Sequence, residues 1–320
     1  MTVAGLSLGL MFLTRPLTAA AVALPFAVHG LMILARGGRA ARAHLFGVAL
    51  LVAVAAGVLF FWQWSLTGDA FRNPYTLWWG YDRLGFGPGI GPMPGGHTFQ
   101  LAVNNTRHSL NAWQHDLFGW PYLSWVLVPA GLVCLRRRRD VWLAFGIFPS
   151  LVLGYLAYWV GSWLMGPRYF IEAVPALAAV SAAGAASLAG VGSALDRTAR
   201  LRRVGATAVL ATLVALNLFV YLPVRLGGLR GLYGMTRARM AVLDDPGLAS
   251  ALIIVHPIPD WTSYGTLLLL TAPFREDYPL LLAYSKDPDQ DQRVTQAYSD
   301  RVAYHYYPDD PMHLYAEPRP

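Results

Sequence analysis

Long apolar runs separated by clusters of arginine constrain the fold of this chain more than any other feature of its sequence. Of the 320 residues, 55% are hydrophobic and only 13% are charged, and the mean hydropathy is +0.40. This composition is typical of membrane proteins, because a soluble domain carries more charge on its surface. A helix needs about 20 apolar residues to cross the hydrocarbon core of a bilayer. The sequence therefore predicts a mainly α-helical, polytopic membrane bundle.

Six apolar segments are predicted to be full membrane spans. They cover residues 17–35, 44–64, 122–135, 141–163, 170–192 and 204–222. A shorter apolar run, residues 3–13, precedes them and ends before Pro16. Proline breaks a helix because it lacks the backbone donor and clashes with the preceding turn. We therefore expect six full spans and a leading partial helix in residues 1–223.

The positive charge is concentrated in three short clusters, although the formal net charge of the chain is only +7. The clusters are Arg36, Arg39 and Arg42; Arg136 to Arg139; and Arg197, Arg200, Arg202 and Arg203. Alternating spans place all three on one side, which the positive-inside rule identifies as cytoplasmic. A nucleic-acid-binding surface would instead carry its charge across one folded face, so no nucleic-acid partner is expected. We expect a multi-pass protein of the bacterial plasma (inner) membrane.

A polar segment, residues 67–121, is predicted to be a large external loop. It is rich in glycine, proline and tryptophan and is too polar to cross a bilayer. Within it, residues 104–118 predict an amphipathic helix with Leu110, Trp113 and Leu117 on one face. Two interpretations of this helix stay open. It lies in the membrane interface, with Arg107, His108 and His115 turned to water or to a cavity, or it is a purely structural lid.

The loop histidines give no recognisable metal-binding pattern. His97, His108 and His115, together with Asp116, match no known ligand spacing. No cofactor is expected, although a divalent metal is not excluded by the sequence.

Residues 224–320 have the composition of a soluble domain, which the alternation of spans places on the external side. Short β-like runs occur at residues 251–255, 280–284 and 302–306. They predict a small α/β or α+β domain. Two interpretations of its aromatic and charged residues stay open, an ordinary small core or a carbohydrate-binding face formed by Trp261, Tyr264, Asp300 and Arg301.

Charged residues at the ends of the apolar runs are the strongest candidates for a site, since a charge near the bilayer is costly unless it is paired or faces a wet cavity. Arg15 lies between two apolar segments. Arg168 and Glu172 are four residues apart and are predicted to pair on one helical face. They form either an internal salt bridge or part of a cationic pocket for a phosphate, because arginine presents a planar fork of donors.

Two motifs resemble the polyprenyl-phosphate-sugar-dependent glycosyltransferases of the GT-C superfamily, which include protein O-mannosyltransferase-like and aminoarabinose-transferase-like proteins. They are GLSLGL followed by FLTRP in residues 5–16, and GPRY in residues 166–169 with Pro175. The resemblance covers residues 1–223. It implies inverting transfer of a sugar from a polyprenyl phosphate to an acceptor at the external face. A carboxylate would act as general base, and arginines would stabilise the departing phosphate.

The resemblance assigns Arg15, Arg168 and Tyr169 to the side of the site that binds the lipid phosphate, with Glu172 beside them. Position in the external loop adds four further candidates for substrate binding or catalysis. These are Asp82, which is the candidate for the base, and Arg83, Arg107 and His108. The expected partners are a polyprenyl-phosphate-linked sugar and membrane lipids, and the oligomeric state is left open.

One departure from the family pattern leads to an alternative function. The family carries its catalytic carboxylate in an external loop upstream of the glycine-spaced helix, whereas no acidic residue precedes Asp69 here. The expectation is a chain that matches the C-terminal part of the pattern, N-terminally truncated or inactive. The alternative is a non-catalytic membrane protein that binds lipid-linked sugars or scaffolds polysaccharide assembly in the cell envelope. A transporter is disfavoured because no internal repeat is present.

Overall fold

The computed structural model describes residues 1–161, 166, 168–192, 196–232, 236–256, 267 and 279–319, without the side chains of Trp78 and Arg239. It divides into two compact units, Met1–Pro223 and Val224–Pro320. The chain is mainly helical, as predicted, and it carries a small β-sheet in the second unit. The predictions for Trp261 and Tyr264 concern residues outside the described ones.

Up to position 229, the residues that the structure describes form ten α-helices. They are α1 (Thr2–Thr14), α2 (Pro16–Arg36), α3 (Arg39–Thr67), α4 (Tyr75–Trp78), α5 (Phe99–Asp116), α6 (Leu127–Cys134), α7 (Arg139–Tyr155), α8 (Val174–Leu188), α9 (Arg197–Leu216) and α10 (Leu222–Leu229). A 3₁₀ turn, Ile171–Ala173, leads into α8, and a π-helical turn, Asn217–Tyr221, joins α9 to α10.

Four of the described helical segments are long and apolar enough to cross a membrane. They are Pro16–Arg36, Arg39–Thr67, Ile171–Leu188 and Arg197–Leu229. The apolar helix α1 is shorter, with 13 residues, and it ends before Pro16 as the sequence predicts. The structure is therefore that of a membrane protein with at least four candidate spans.

The predicted spans at residues 122–135 and 141–163 correspond to shorter helices. The helix α6 has only eight residues, because Gly119 and Tyr122 adopt positive φ angles and turns continue to Val126. The helix α7 has 17 residues and ends at Tyr155, after which Tyr158 forms an isolated antiparallel bridge with Leu84 of the loop. The last predicted span, residues 204–222, is longer than expected, since Asp196 accepts a hydrogen bond from the amide of Ala199 and starts the helix early.

Small residues let the two shorter helices pack closely along candidate spans. A Cβ atom added at Gly146 or Gly154 of α7 would lie 3.1 Å from Pro25 or 3.2 Å from Ala21 of α2. The order of these pairs shows that α7 runs antiparallel to α2. Gly131 of α6 and Gly184 of α8 likewise bring these helices into backbone contact.

The predicted amphipathic helix is present as α5, and its apolar face packs on protein. Thr98 caps it, because its Oγ1 accepts a hydrogen bond from the amide of Leu101. Trp113 is fully buried and stacks on Phe148 at 5.2 Å, with Phe170 edge-on at 5.6 Å. This helix therefore joins the core of the first unit.

In the second unit, the described residues form a four-stranded sheet in the order β2-β1-β3-β4. The strands β1 (Ala251–Val255), β2 (Leu280–Tyr284) and β3 (Val302–Tyr306) occupy the three runs that the sequence predicts. The strands β2 and β3 are both parallel to β1, and β4 (Leu314–Tyr315) is antiparallel to β3. Every residue of β1 is buried, which accounts for its unbroken apolar sequence. The helix α11 (Pro288–Ala297) connects β2 to β3.

Candidate functional site

The two motifs that carry the sequence resemblance meet in the structure. Arg15 lies at the break between α1 and α2, where Pro16 begins the second helix. Its Nη1 is 3.7 Å from Oε1 of Glu172 and donates to the carbonyl oxygen of Arg168 at 3.4 Å. Arg15 and Arg168 are 153 residues apart in the chain. Tertiary packing therefore brings three predicted site residues to one place.

Glu172 pairs with Arg15, which corrects the predicted pairing of Arg168 with Glu172. Residues 168–170 form a turn, and helical geometry begins only at Ile171, so the spacing of four does not align the two side chains. The guanidinium of Arg168 instead donates to the hydroxyl of Tyr169 at 2.8 Å and lies 4.8 Å from the centre of its ring.

Tyrosine rings extend the site from Tyr169 into the first unit. Tyr169 stacks on Tyr155, with ring centres 4.7 Å apart, and meets Tyr158 edge-on at 5.5 Å. The hydroxyl of Tyr155 shares a hydrogen bond of 2.5 Å with Oγ1 of Thr18, one turn beyond Arg15 on α2. The rings therefore tie the end of α7 to the start of α2.

Asp82, which lies between α4 and α5, is held at the other end of this aromatic group. Its Oδ1 accepts hydrogen bonds from the hydroxyl of Tyr158 at 3.1 Å and from Nε1 of Trp159 at 2.9 Å. Tyr81 meets the ring of Trp159 edge-on, and burial, followed by the charge of Asp82, raises the pKa of Tyr81. Two neutral donors thus fix the carboxylate while the second oxygen, Oδ2, accepts no hydrogen bond within the part of the chain described.

In the ion pair between Arg15 and Glu172, the arginine is the more exposed side chain. The side chain of Arg15 is 48% exposed and that of Glu172 is 18% exposed. Oε2 of Glu172 is buried and has no hydrogen-bond partner among the described residues. Because a guanidinium carries five N–H donors, Arg15 retains donors for an incoming anion. We call Arg15, Arg168, Tyr169, Glu172, Tyr155, Tyr158 and Asp82 the arginine–tyrosine cluster.

The other predicted candidates stay outside this cluster. Arg83, Arg107 and His108 are all exposed. Arg107 lines a separate open groove of about 450 Å³ along α5. The groove is formed by Val103, Thr106, Arg107, Leu110, Asn111, Gln114 and Leu156.

The sequence analysis did not single out Tyr155 and Tyr158 of the cluster, or Trp159 beside them. Tyr155, Tyr158 and Trp159 end an apolar run, where aromatic residues are expected at a membrane interface for reasons unrelated to any site. Their concentration within five residues is the signal that sequence reasoning could have used. Their contacts to Thr18 and Asp82 depend on packing between distant segments, which no local pattern encodes.

Two further hypotheses from the sequence concern a metal site and a carbohydrate-binding face that includes Asp300 and Arg301. In the stretches of chain that the structure describes, no group of three or more His, Cys, Asp or Glu side chains is placed to hold a metal ion. Asp300 is exposed, and Arg301 donates to the carbonyl oxygen of Pro279 at 3.2 Å. These two residues therefore form part of a turn at the edge of the sheet.

Comparisons with protein-family models, with curated proteins and with solved structures find no match for this chain. The geometry offers a half-exposed arginine, a second arginine on an aromatic ring, and a carboxylate with one oxygen open, all within the first unit.

Proposed function

We propose that the first unit is the donor-binding part of a membrane glycosyltransferase that uses a polyprenyl-phosphate-linked sugar. One observation carries the proposal: the two motifs that resemble the GT-C superfamily, although distant in sequence, join through Arg15, Arg168 and Glu172. Arginine suits a phosphate because its fork of donors matches the phosphate oxygens. The half-exposed Arg15 binds the phosphate, and Arg168 supports it from beside Tyr169.

Asp82 is the candidate for the general base in this proposal. The acceptor hydroxyl oxygen attacks the anomeric carbon, and the bond between that carbon and the phosphate oxygen breaks. The hydroxyl proton moves to Oδ2 of Asp82, and the phosphate leaves with its negative charge, which the arginines stabilise. Tyr158 and Trp159 keep the carboxylate oriented through Oδ1.

A second candidate function is non-catalytic binding of a lipid-linked sugar, as part of a scaffold for cell-envelope polysaccharide assembly. It uses the same phosphate contacts and needs no base. The observation that favours it is that Oδ1 of Asp82 already accepts two hydrogen bonds, from Tyr158 and Trp159, which give the carboxylate a structural role between the loop and the segment after α7.

Binding of the lipid phosphate is tested with the full chain in lipid nanodiscs, using a polyprenyl phosphate as the probe. We expect Arg15→Gln and Arg168→Gln each to weaken binding by about tenfold or more, because each removes a charge-assisted contact. Arg42→Gln, at an exposed arginine in the first turn of α3, is the matched control and should leave affinity unchanged. Equal affinity in all four proteins would remove the basis of the proposal.

Asp82→Asn separates the two candidate functions. The variant keeps the hydrogen bonds to Tyr158 and Trp159 possible through its amide oxygen, so lipid-phosphate binding should persist. If the wild type transfers sugar from a polyprenyl-phosphate donor to an acceptor, the variant should lose about a hundredfold or more in rate. Binding without transfer by the wild type supports the scaffold instead.

The proposal places the arginine–tyrosine cluster at the external face of a bacterial plasma membrane. Arg15 and Arg36 lie at opposite ends of α2, so an arginine cluster in the cytoplasm puts Arg15 outside. The short helices α6 and α7 then also cross the bilayer, since α7 lies antiparallel along the span α2. The second unit is external in this arrangement.

A further inference from the structure

The sheet of the second unit contains a topological switch point. The chain runs from β1 to β2 on one side and then, through α11, to β3 on the other side of β1. All three strands are parallel, so their carboxyl ends lie at one edge. In open α/β sheets, ligands bind in the crevice outside the carboxyl ends of the strands, where the strand order reverses. That position here lies between β1 and β3.

Two histidines meet at this position. His256 directly follows β1, and His305 lies near the end of β3. Nε2 of His256 and Nδ1 of His305 are 2.8 Å apart and share a hydrogen bond. His305 is only 8% exposed, and the ring of Tyr307 stacks on His256 at 4.4 Å, nearly parallel. The pair is therefore fixed by its hydrogen bond and by aromatic packing.

The shared hydrogen bond determines what the two outer ring nitrogens offer. Nδ1 of His256 and Nε2 of His305 have no hydrogen-bond partner in the portion of the chain that the structure describes. In the neutral pair one inner nitrogen donates and the other accepts. One outer nitrogen must then be an N–H donor and the other an acceptor, and a tautomer change exchanges these roles. The pair presents one donor and one acceptor in either state.

The surroundings narrow the class of ligand. Asp291 lies close enough to act electrostatically on both imidazoles, and its Oδ2 accepts a hydrogen bond of 2.7 Å from Ser285 at the end of β2. A negatively charged ligand would be repelled by this carboxylate. No metal-binding group of three or more side chains occurs among the described residues. Hydroxyl groups, which both donate and accept, match a reversible donor and acceptor pair.

We propose that the second unit binds a neutral polyhydroxylated ligand, a sugar ring, at the carboxyl edge of β1 and β3, through hydrogen bonds to Nδ1 of His256 and Nε2 of His305. This site is distinct from the arginine–tyrosine cluster and does not depend on the function proposed for that cluster. Burial lowers the pKa of both histidines, which keeps the pair neutral near pH 7 and preserves its donor and acceptor arrangement.

The test follows the histidine ring signals of the full, ¹³C-histidine-labelled chain in detergent micelles during titration with neutral monosaccharides. We expect saturable shifts of His256 and His305, and weakening by about tenfold in His256→Gln, which removes one hydrogen bond in a desolvated site. His313→Gln, at a side chain that is 69% exposed, is the matched control and should bind as the wild type does. Arg15→Gln should also bind normally, which separates this site from the cluster.

A second variant protects the test against loss of folding. Ser285→Ala removes the hydroxyl that holds Asp291 and leaves both imidazoles in place, so it should retain the shifts with a smaller loss of affinity. The absence of saturable shifts with every neutral sugar would overturn the proposal. So would equal affinity in His256→Gln and the wild type, or binding of Zn²⁺ or inorganic phosphate at this pair in place of sugars.

Discussion

The paired imidazoles of His256 and His305 should make the stability of the second unit depend on pH. Desolvation is the main cause that lowers the pKa of His256 and of His305, and Asp291 acts in the opposite direction on both. At pH 8, well above the ordinary histidine pKa of 6.5, both rings are neutral in the folded and unfolded states. As the pH falls through 6.5, the unfolded chain binds protons more readily, so the free energy of unfolding should decrease.

Hydrogen exchange of the amides in β1 and β3 measures this dependence between pH 8 and about pH 5, where Asp310 does not yet titrate. We expect protection, corrected for intrinsic exchange, to fall below pH 6.5 in the wild type. The double variant His256→Gln/His305→Gln should show a flatter profile, whereas His313→Gln should keep the wild-type slope. An unchanged slope in the double variant would contradict the assignment.

The residues of the arginine–tyrosine cluster were only partly predictable. A charge at the end of an apolar run is conspicuous in sequence, so Arg15, Arg168 and Glu172 were found. Their pairing was predicted wrongly, because the rule for residues four apart holds only inside a helix and Ile171 begins the first helical turn. The contact between Asp82 and Tyr158 spans 76 residues, and no local periodicity carries such information.

At the scale of elements, strands were predicted more accurately than the short helices. The strands β1, β2 and β3 are continuous apolar or aromatic runs between turn residues, and their bounds follow from composition. The start of α6 depends on the backbone of Gly119 and Tyr122, both at positive φ, which hydropathy does not register. Hydropathy also does not register the close packing of α6 on α8, which depends on Gly131 and Gly184.

The contact between α6 and α8 predicts a large effect of a small substitution. A Cβ atom at Gly184 would meet the backbone of α6 at Leu127 and Gly131, so Gly184→Ala must push the helices apart. We expect a loss of about 1–3 kcal/mol in the free energy of unfolding. Gly57→Ala is the matched control, because that helical glycine has no neighbour within 4 Å of a Cβ atom. It should be neutral or stabilising by about 0.5–1 kcal/mol.

Denaturant unfolding of the purified chain in one detergent compares the two glycine variants directly. Since both substitutions add one methyl group to a helix, their difference isolates the packing contact. If Gly184→Ala proves as stable as Gly57→Ala, α6 and α8 do not pack in the manner described.

At the scale of the whole molecule, the number of membrane crossings decides on which side of the membrane residues 136–139 lie. Four described helices are long enough to cross, and α6 and α7 are short. With four crossings, residues 136–139 would lie on the side opposite to Arg36 and Arg39, against the positive-inside rule. With six crossings, all three arginine clusters are cytoplasmic. The antiparallel packing of α7 along α2 favours six.

Single-cysteine labelling distinguishes these two arrangements. The native chain has one cysteine, so Cys134→Ser gives a cysteine-free background. Into it we would introduce Arg137→Cys as the test, Gly38→Cys as the cytoplasmic control and Asn73→Cys as the external control. Gly38 tolerates a side chain, because it has φ of −72° and no atom lies within 4 Å of a Cβ position.

An impermeant maleimide should then label Arg137→Cys and Gly38→Cys only in inside-out vesicles, and Asn73→Cys only in intact cells or right-side-out vesicles. The physical reason is that, with six crossings, α6 would carry the chain to the cytoplasmic face and α7 would carry it back to the external face. Labelling of Arg137→Cys from the same side as Asn73→Cys would establish four crossings. It would also place four consecutive arginines outside, and the assignment of the cluster to the external face would lose its charge-based support.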